Sequence, residues 1–400
     1  MPRLRTQMPR VALWLPTSIK GSRDLLRGVL SYVNLNGHWA IDLIDEQNTR
    51  LANLGSSDWG YSGMIVDMRN RQRAEQLLTA GCPTVITCVP DEFLADGQPC
   101  SKLSRIECEN EVIGSKAAEF FLERKFSNFA CIGDVTQAGW SVKRLDAFCR
   151  RVFLAGFRCD VYPPSSKSGQ QDFSKERHRL CGWLKALQKP VALFAANDAR
   201  GRQLIDACRK AGLAVPQEIA VLGVDNDELI CETTQPQLSS IQMSTEQAGF
   251  EAARVLDRMM RRNPRGKPRQ TVISFGFSHV VTRRSTETLQ IADPLVARTI
   301  EFIRINADIV LTIEDIVRHL HVSRRWLEKR FKSTGRTVHA ELMRVRLNRV
   351  QTLLRESAMT IDAIADDCGF TSASHLGGLF RKHFDTTPAV YRRRFRDGMA

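Results

Sequence analysis

Two stretches near the end of the chain carry the same pattern. TIEDIVRHLHVSRRWLEKRFK begins at Thr312 and TIDAIADDCGFTSASHLGGLFRK at Thr360; Ile313 aligns with Ile361, Ile316 with Ile364 and Val322 with Phe370. After a slip of one residue, Ser323, Leu327 and Phe331 align with Ser372, Leu376 and Phe380. In the first copy Ile313, Ile316, Val317 and Leu320 recur at helical spacing and His321-Val322 interrupt them. Ser323 can then cap a second helix, which carries Leu327 and Phe331 four residues apart. This is a helix-turn-helix pattern, and two copies are far harder to reach by chance than one. Between them VHAELMRVRLNRVQTLLRES is a continuous amphipathic stretch, roughly 30 Å long as a helix. That length would hold two second helices about one turn of B-DNA apart.

Upstream the pattern is different. Apolar runs at 11–15, 63–67, 83–87, 129–134, 191–196 and 219–225, together with WAIDLID, alternate with helical stretches near 25–33, 71–80, 112–124, 142–155 and 200–211. Strand and helix in alternation imply parallel sheets covered on both faces, with ligands at the carboxyl ends of the strands. About 280 residues exceed one such sheet, so two lobes are expected, the second at approximately 113–239. The basic turn NPRGKP at 263–268 precedes one more strand-like stretch, VISFGF. RRSTETLQIADP lacks periodicity, and 285–293 is read as a linker. From Pro294 onward only helical spacing remains.

The net charge of +14 suits a chain that meets a polyanion. No run of about 18 apolar residues and no leader-like segment appears, so the expected location is cytoplasmic, with no membrane partner. The eleven cysteines are scattered from Cys82 to Cys368 without a CxxC pair, and the eight histidines show no HExxH. They are read as reduced, mostly buried residues, and neither a metal nor a cofactor is expected. An enzyme on a nucleotide-binding sheet is disfavoured: no GxGxxG follows the first strand, Gly266-Lys267-Pro268 does not fit a phosphate loop, and no GxSxG occurs.

The last hundred residues resemble the DNA-binding domain of the AraC/XylS family of transcription regulators. The resemblance rests on the doubled motif and on Thr387-Pro388-Ala389-Val390-Tyr391-Arg392, which is similar to that family's TPxxYR signature. Asp385 departs from it, standing where glycine is more usual. The earlier part resembles LacI-type effector modules, most clearly in FAANDARGRQLIDACRKAGLAVPQEIAVLGVDNDEL and in Arg144-Leu145-Asp146-Ala147-Phe148. The implied fold class is an α/β two-lobed periplasmic-binding-protein-like (LacI-type) module at 9–284, then an all-α double helix-turn-helix domain at 294–397. Within the latter, the two motifs fall at 312–332 and 360–382 and the linking helix at 338–356.

The resemblance implies a sequence-specific transcription regulator, an activator by preference, controlled by a small sugar held between the lobes, a pentose such as xylose first. The alternative is a module that mainly dimerises or binds a non-pentose ligand. Double-stranded DNA, the sugar, a second copy of the chain and RNA polymerase are the partners considered. Base reading carries over to Arg324, Arg325, Glu328 and Lys329. Arg or Lys can donate to guanine and Glu can accept from cytosine, each good pair discriminating by ~1–3 kcal/mol. In the second motif the corresponding face is Ala373, Ser374, His375, Gly377 and Gly378, read as holding phosphate, since glycines in a helix cost ~1 kcal/mol each and offer no side chain. A basic run at Arg392–Arg396 is a further phosphate candidate.

Ligand contact is implied for Arg144, Asn197 and Asp225, and by placement for Arg23 and Asp67. Carboxylates and an arginine fork suit sugar hydroxyls, and Trp140 or Phe148 suits the apolar sugar face. For Asp198, Asn226 and Asp227 the competing role is helix capping. Met243 stands in SSIQMS where glutamine is common in such modules, so Gln242 would have to replace it.

Overall fold

In the computed structural model, residues 8–36, 39–44, 60–69, 81–95, 97–163, 173–261, 270–287, 293–306, 309, 311–332, 337–357, 359–384 and 386–396 are described. They fall into two compact units, Met1–Thr288 and Leu289–Ala400. The expected helix at 71–80, the NPRGKP turn, residues 288–292 of the expected linker and Asp385 lie outside the described residues.

The first unit is built on two sheets. β1 (Arg10–Trp14), β2 (Ala40–Ile44), β3 (Gly63–Asp67), β4 (Thr84–Thr87), β5 (Ser104–Cys108) and β11 (Val272–Phe275) form one, in the order β11-β5-β4-β3-β1-β2, all parallel. The other holds β6 (Asn128–Ile132), β7 (Cys159–Val161), β8 (Val191–Ala195), β9 (Ile219–Val224), β10 (Ser239–Met243) and β12 (Phe277–Val281), in the order β12-β10-β9-β8-β6-β7. Only β12 runs antiparallel there, against β10. Every residue of β8 and β9 is buried. Helices cover both faces of a parallel sheet, and for that reason these strands read in sequence as continuous apolar runs rather than alternations.

α1 (Lys20–Asn36) and α7 (Thr245–Arg261) cover the first sheet in backbone contact. A Cβ on Gly28 would lie 1.8 Å from the Glu246 carbonyl oxygen, and one on Gly249 2.0 Å from that of Leu25. α2 (Asn110–Glu123) and α3 (Gly139–Leu154) meet the same way in the second lobe, where a Cβ on Gly114 would sit 2.1 Å from the Arg144 carbonyl oxygen. α4 (Phe173–Ala186), α5 (Asp198–Ala211) and α6 (Glu228–Thr233) complete that lobe.

The chain passes between the lobes after Cys108, after Met243 and again at Gly276. The VISFGF stretch, expected as one strand, therefore serves both sheets: β11 pairs with β5 and β12 with β10. Gly276 lies at the crossing, where an added Cβ would come 3.0 Å from Glu109. The module also continues past 284. Ser285 is fully buried and donates to the Val221 carbonyl at 2.6 Å, and Thr286 donates to Ser239 Oγ at 2.7 Å. Apolar periodicity could not show this, since both residues are held by hydrogen bonds.

The second unit contains α8 (Pro294–Ile305), α9 (Ile313–Leu320), α10 (Arg324–Phe331), α11 (Val338–Glu356), α12 (Ile361–Asp367), α13 (Ala373–Phe384) and α14 (Pro388–Arg396). Thr312 and Asp315 form a reciprocal capping box at α9, while Ser323, Thr337 and Thr360 cap α10, α11 and α12 with their hydroxyls. Leu327, Phe331, Leu376 and Phe380 are all completely buried, each pair in its own core. α11 supplies both cores: Val338, Leu342 and Val345 to the first, Leu347, Val350 and Leu354 to the second. The aligned turns share a conformation as well as a pattern. His321 has φ 54° and Gly369 has φ 71°, both left-handed, so the first copy holds a histidine where glycine costs nothing.

Candidate effector cleft and DNA-reading face

In the first unit the carboxyl ends of the strands open onto a cleft of about 1270 Å³. Its most enclosed cation is Arg144 on α3, only 4% exposed. Gly114 lets α2 lie against the Arg144 backbone, and the side chain is then held on several sides. Nε donates to Asn110 Oδ1 at 3.0 Å, Nη1 to the Ala196 carbonyl at 2.7 Å, and Nη2 to Met243 Sδ at 3.5 Å. The guanidinium lies 4.9 Å from the Trp140 ring centroid, one helical turn earlier. Asp225 Oδ1 is 3.9 Å away. A fixed fork, an aromatic face and a carboxylate thus converge at one place.

Asp225 follows β9 with φ 106°, and Asn226 with φ 51°, two consecutive non-glycine residues in the left-handed half of backbone space. Such strain persists where surrounding structure enforces it and clusters at ligand sites. Burial pushes the Asp225 carboxyl up to about 6, with Arg144 and Lys20 opposing. Asp198 is more strongly affected: burial and the neighbouring Asp225 charge push it up to about 8. It accepts from Ser240 Oγ at 2.6 Å and from the Asp227 backbone N–H at 2.7 Å. Through these bonds Asp198 fixes the 225–227 turn.

Of the residues nominated from sequence, Trp140, Arg144, Asn197 and Asp225 line the cleft. Asn197 also caps α5, its Oδ1 accepting from the Arg200 N–H at 2.9 Å, so the capping role and the cleft position coexist. Arg23 and Asp67 are not among the lining residues. Arg23 donates to Asp227 Oδ2 and to the Thr17 and Ser18 carbonyls, each at 3.0 Å. Asp67 is 3% exposed and accepts from Arg69, whose side chain reaches the cleft instead. Phe148 is fully buried in the lobe core, stacked on Phe194. Gln242 does not replace the missing glutamine: its Oε1 accepts from Asn226 and its Nε2 donates to the Met243 carbonyl, both at 2.9 Å. Met243 itself faces the cleft.

Sequence reading missed Asn110, Lys20, Arg69 and Asp134 among the cleft residues. Asn110 lies two residues past the end of β5, at the start of α2, so a polar residue just past a strand was the available signal. Two ion pairs also cross the cleft between lobes, Arg23 with Asp227 at 3.0 Å and Lys143 with Asp91 at 2.8 Å.

In the second unit Arg324, Arg325, Glu328 and Lys329 are all exposed on α10, opposite buried Leu327 and Phe331. Arg324 is engaged within the protein, its Nη1 bonded to Glu314 at 2.8 Å and its Nε to Glu328 at 3.0 Å. These pairs hold Arg324 and Glu328 in set positions on the helix. On α13, Ser374 and His375 are exposed, and His375 Nδ1 lies 3.0 Å from Thr371 Oγ1. A Cβ on Gly377 or Gly378 would meet nothing within 4 Å, so no packing within the protein demands glycine at either position.

Comparison with known proteins follows this division. A periplasmic binding protein-like domain matches residues 118–286 and a helix-turn-helix domain residues 316–394. The xylose operon regulatory protein of Escherichia coli K12 is 27% identical over 97% of both chains, and that of Haemophilus influenzae is 29% identical over 96% of this chain and 98% of its own. The solved structure of a xylose-binding transcription activator superposes with a TM-score of 0.73 at 26% identity, covering 98% of this chain and 99% of that one. The chain is similar along its whole length to regulators that carry the DNA-binding domain of the AraC/XylS family. This regulator joins a LacI-type α/β module to the DNA-binding domain of that family, and, like these relatives, it is not an enzyme. Among its described residues no helix is long and apolar enough to cross a membrane.

Proposed function

We propose that the regulator binds a small sugar between its lobes, with Arg144, Asp225 and Asn197 on the hydroxyls and Trp140 on the apolar face, and that the bound state activates transcription in the cytoplasm. The observation that carries this reading is the convergence of Trp140, Arg144 and Asp225 at the strand ends, with the Asp225 backbone held at φ 106°. Likeness along the whole chain to xylose operon regulators supports a pentose. The regulator acts as a homodimer that meets double-stranded DNA and RNA polymerase. Arg324, Arg325, Glu328 and Lys329 read bases, while Ser374 and His375 on the glycine-bearing helix position the phosphate backbone. For the sugar to act it must bind one lobe arrangement better than another, since equal affinity shifts nothing.

A second reading of the ligand rests on Met243. Its thioether sits beside Arg144 in place of an amide, which favours a sugar with fewer hydroxyls to satisfy there, or a derivative larger than a free pentose in the cleft of about 1270 Å³. A thermal-shift screen with pentoses, hexoses and sugar acids tests both readings. A ligand at 100 times its Kd stabilises the fold by about 2.7 kcal/mol. A shift with xylose alone supports the first reading and a shift with another sugar the second. No shift with any would leave a module that only dimerises.

A further inference from the structure

Away from the cleft, three thiols meet inside the second lobe. Cys131 on β6, Cys149 on α3 and Cys159 on β7 come from three separate elements, and their sulfurs all lie within 4.8 Å of one another. Cys131 Sγ is 3.6 Å from that of Cys149 and 3.7 Å from that of Cys159. None of the three lines the effector cleft. All three belong to the apolar core of the lobe, which also holds Phe129, Phe157, Leu145 and Val152. Chance burial of small residues rarely brings three sulfurs to one point.

The spacing fits a metal. With metal–sulfur bonds of about 2.3 Å, three sulfurs stand about 4.0 Å apart around a trigonal ion and about 3.8 Å apart around a tetrahedral one. Two of the three separations, 3.6 and 3.7 Å, lie within a few tenths of an ångström of these values, and the third pair lies within 4.8 Å. Among the described residues no carboxylate or imidazole joins the three sulfurs within the same radius. That absence decides between ions. Zinc(II) prefers four ligands, whereas a soft, all-sulfur, three-donor site in an apolar shell suits a monovalent thiophilic ion.

We propose that Cys131, Cys149 and Cys159 form a binding site for one copper(I) ion per chain, preferred over zinc(II). Binding replaces S–H bonds with S–Cu bonds and releases the displaced protons to solvent, so apparent affinity rises with pH. Sequence spacing concealed the site, because the ligands lie on two strands and a helix, with no CxxC among them.

The test is an anaerobic titration of the full, reduced chain with copper(I) against a competing copper(I) chelator, repeated with zinc(II). The expected result is one copper(I) per chain, bound more tightly than zinc(II), with X-ray absorption showing sulfur neighbours alone. Cys149→Ser and Cys159→Ser should each weaken binding at least about tenfold, and Cys82→Ser, in the other lobe, should leave it unchanged. Unaltered affinity in both ligand variants would overturn the assignment, as would tighter zinc(II) binding. So would a reduced protein that binds no ion and instead forms a Cys131–Cys149 or Cys131–Cys159 disulfide on oxidation. If a variant fails to fold, alkylation mapping of the wild type decides: copper(I) must protect these three cysteines, and equal labelling with and without it contradicts the site.

Discussion

Arg23 on α1 donates to Asp227 Oδ2 at 3.0 Å, tying one lobe of the effector module to the other while the same guanidinium holds the Thr17 and Ser18 carbonyls. Asp227 lines the cleft while Arg23 does not, and Lys143 with Asp91, both lining residues, makes a second crossing. Both pairs can form only when the lobes are close, so they favour the arrangement that encloses a ligand.

Arg23→Ala should therefore weaken effector binding modestly, by about 2- to 5-fold, because a partly exposed ion pair contributes at most about 1 kcal/mol. The order of preference among sugars should not change. Calorimetric titration checks this; a changed preference would mean that Arg23 touches the ligand itself.

Gly114→Ala acts on the site from behind. The new Cβ would lie 2.1 Å from the Arg144 carbonyl oxygen, so α2 and α3 must separate. Overpacking of this kind costs about 1–3 kcal/mol, and the displaced Arg144 should lose effector affinity as well. Denaturant unfolding and sugar titration measure the two effects in one variant.

The buried carboxyl of Asp198 makes stability depend on pH. Its pKa is pushed from the ordinary 3.8 up to about 8 by burial and by Asp225. Between those values the folded state keeps a proton that the unfolded chain releases, so the contribution is whole below about pH 4 and is lost as pH rises through about 8. Asp225, pushed up to about 6, adds to the lower part of that window. Asp198→Asn should flatten the decline; unfolding midpoints measured from pH 5 to pH 9 would show it.

Much of this could be read from the residues, for reasons that differ by element. The helix-turn-helix pair was legible because Leu327, Phe331, Leu376 and Phe380 repeat at helical spacing behind capping hydroxyls. The two-lobed sheet was legible because buried parallel strands such as VALFA and IAVLGV are continuously apolar. The exchange of strands between lobes was not, since VISFGF looks the same whether it serves one sheet or two, and only the crossing at Gly276 divides it. In the cleft, Arg144 and Asp225 follow recognisable segments. Arg23 and Asp67 sit close by in sequence position, but Asp227 and Arg69 hold them, and pairings between distant side chains leave no periodic trace. The three-sulfur cluster is hidden for the same reason.

On the proposed DNA-reading face of α10, Arg325→Ala and Lys329→Ala should each cost about 1–3 kcal/mol on a matched site and much less on random DNA. Competition binding with both DNAs separates these outcomes. Equal loss on both would place Arg325 and Lys329 on phosphates.

The central claim is that a sugar in this cleft controls DNA binding. Fluorescence anisotropy on a DNA site selected in vitro, with and without the sugar that stabilises the protein, tests it in the wild type and in Asp225→Asn. The sugar should change wild-type DNA affinity at least about 5-fold, the lower end of typical allosteric coupling. Asp225→Asn should bind the DNA as tightly as the sugar-free wild type and fail to respond. An equal response in both proteins would contradict the account.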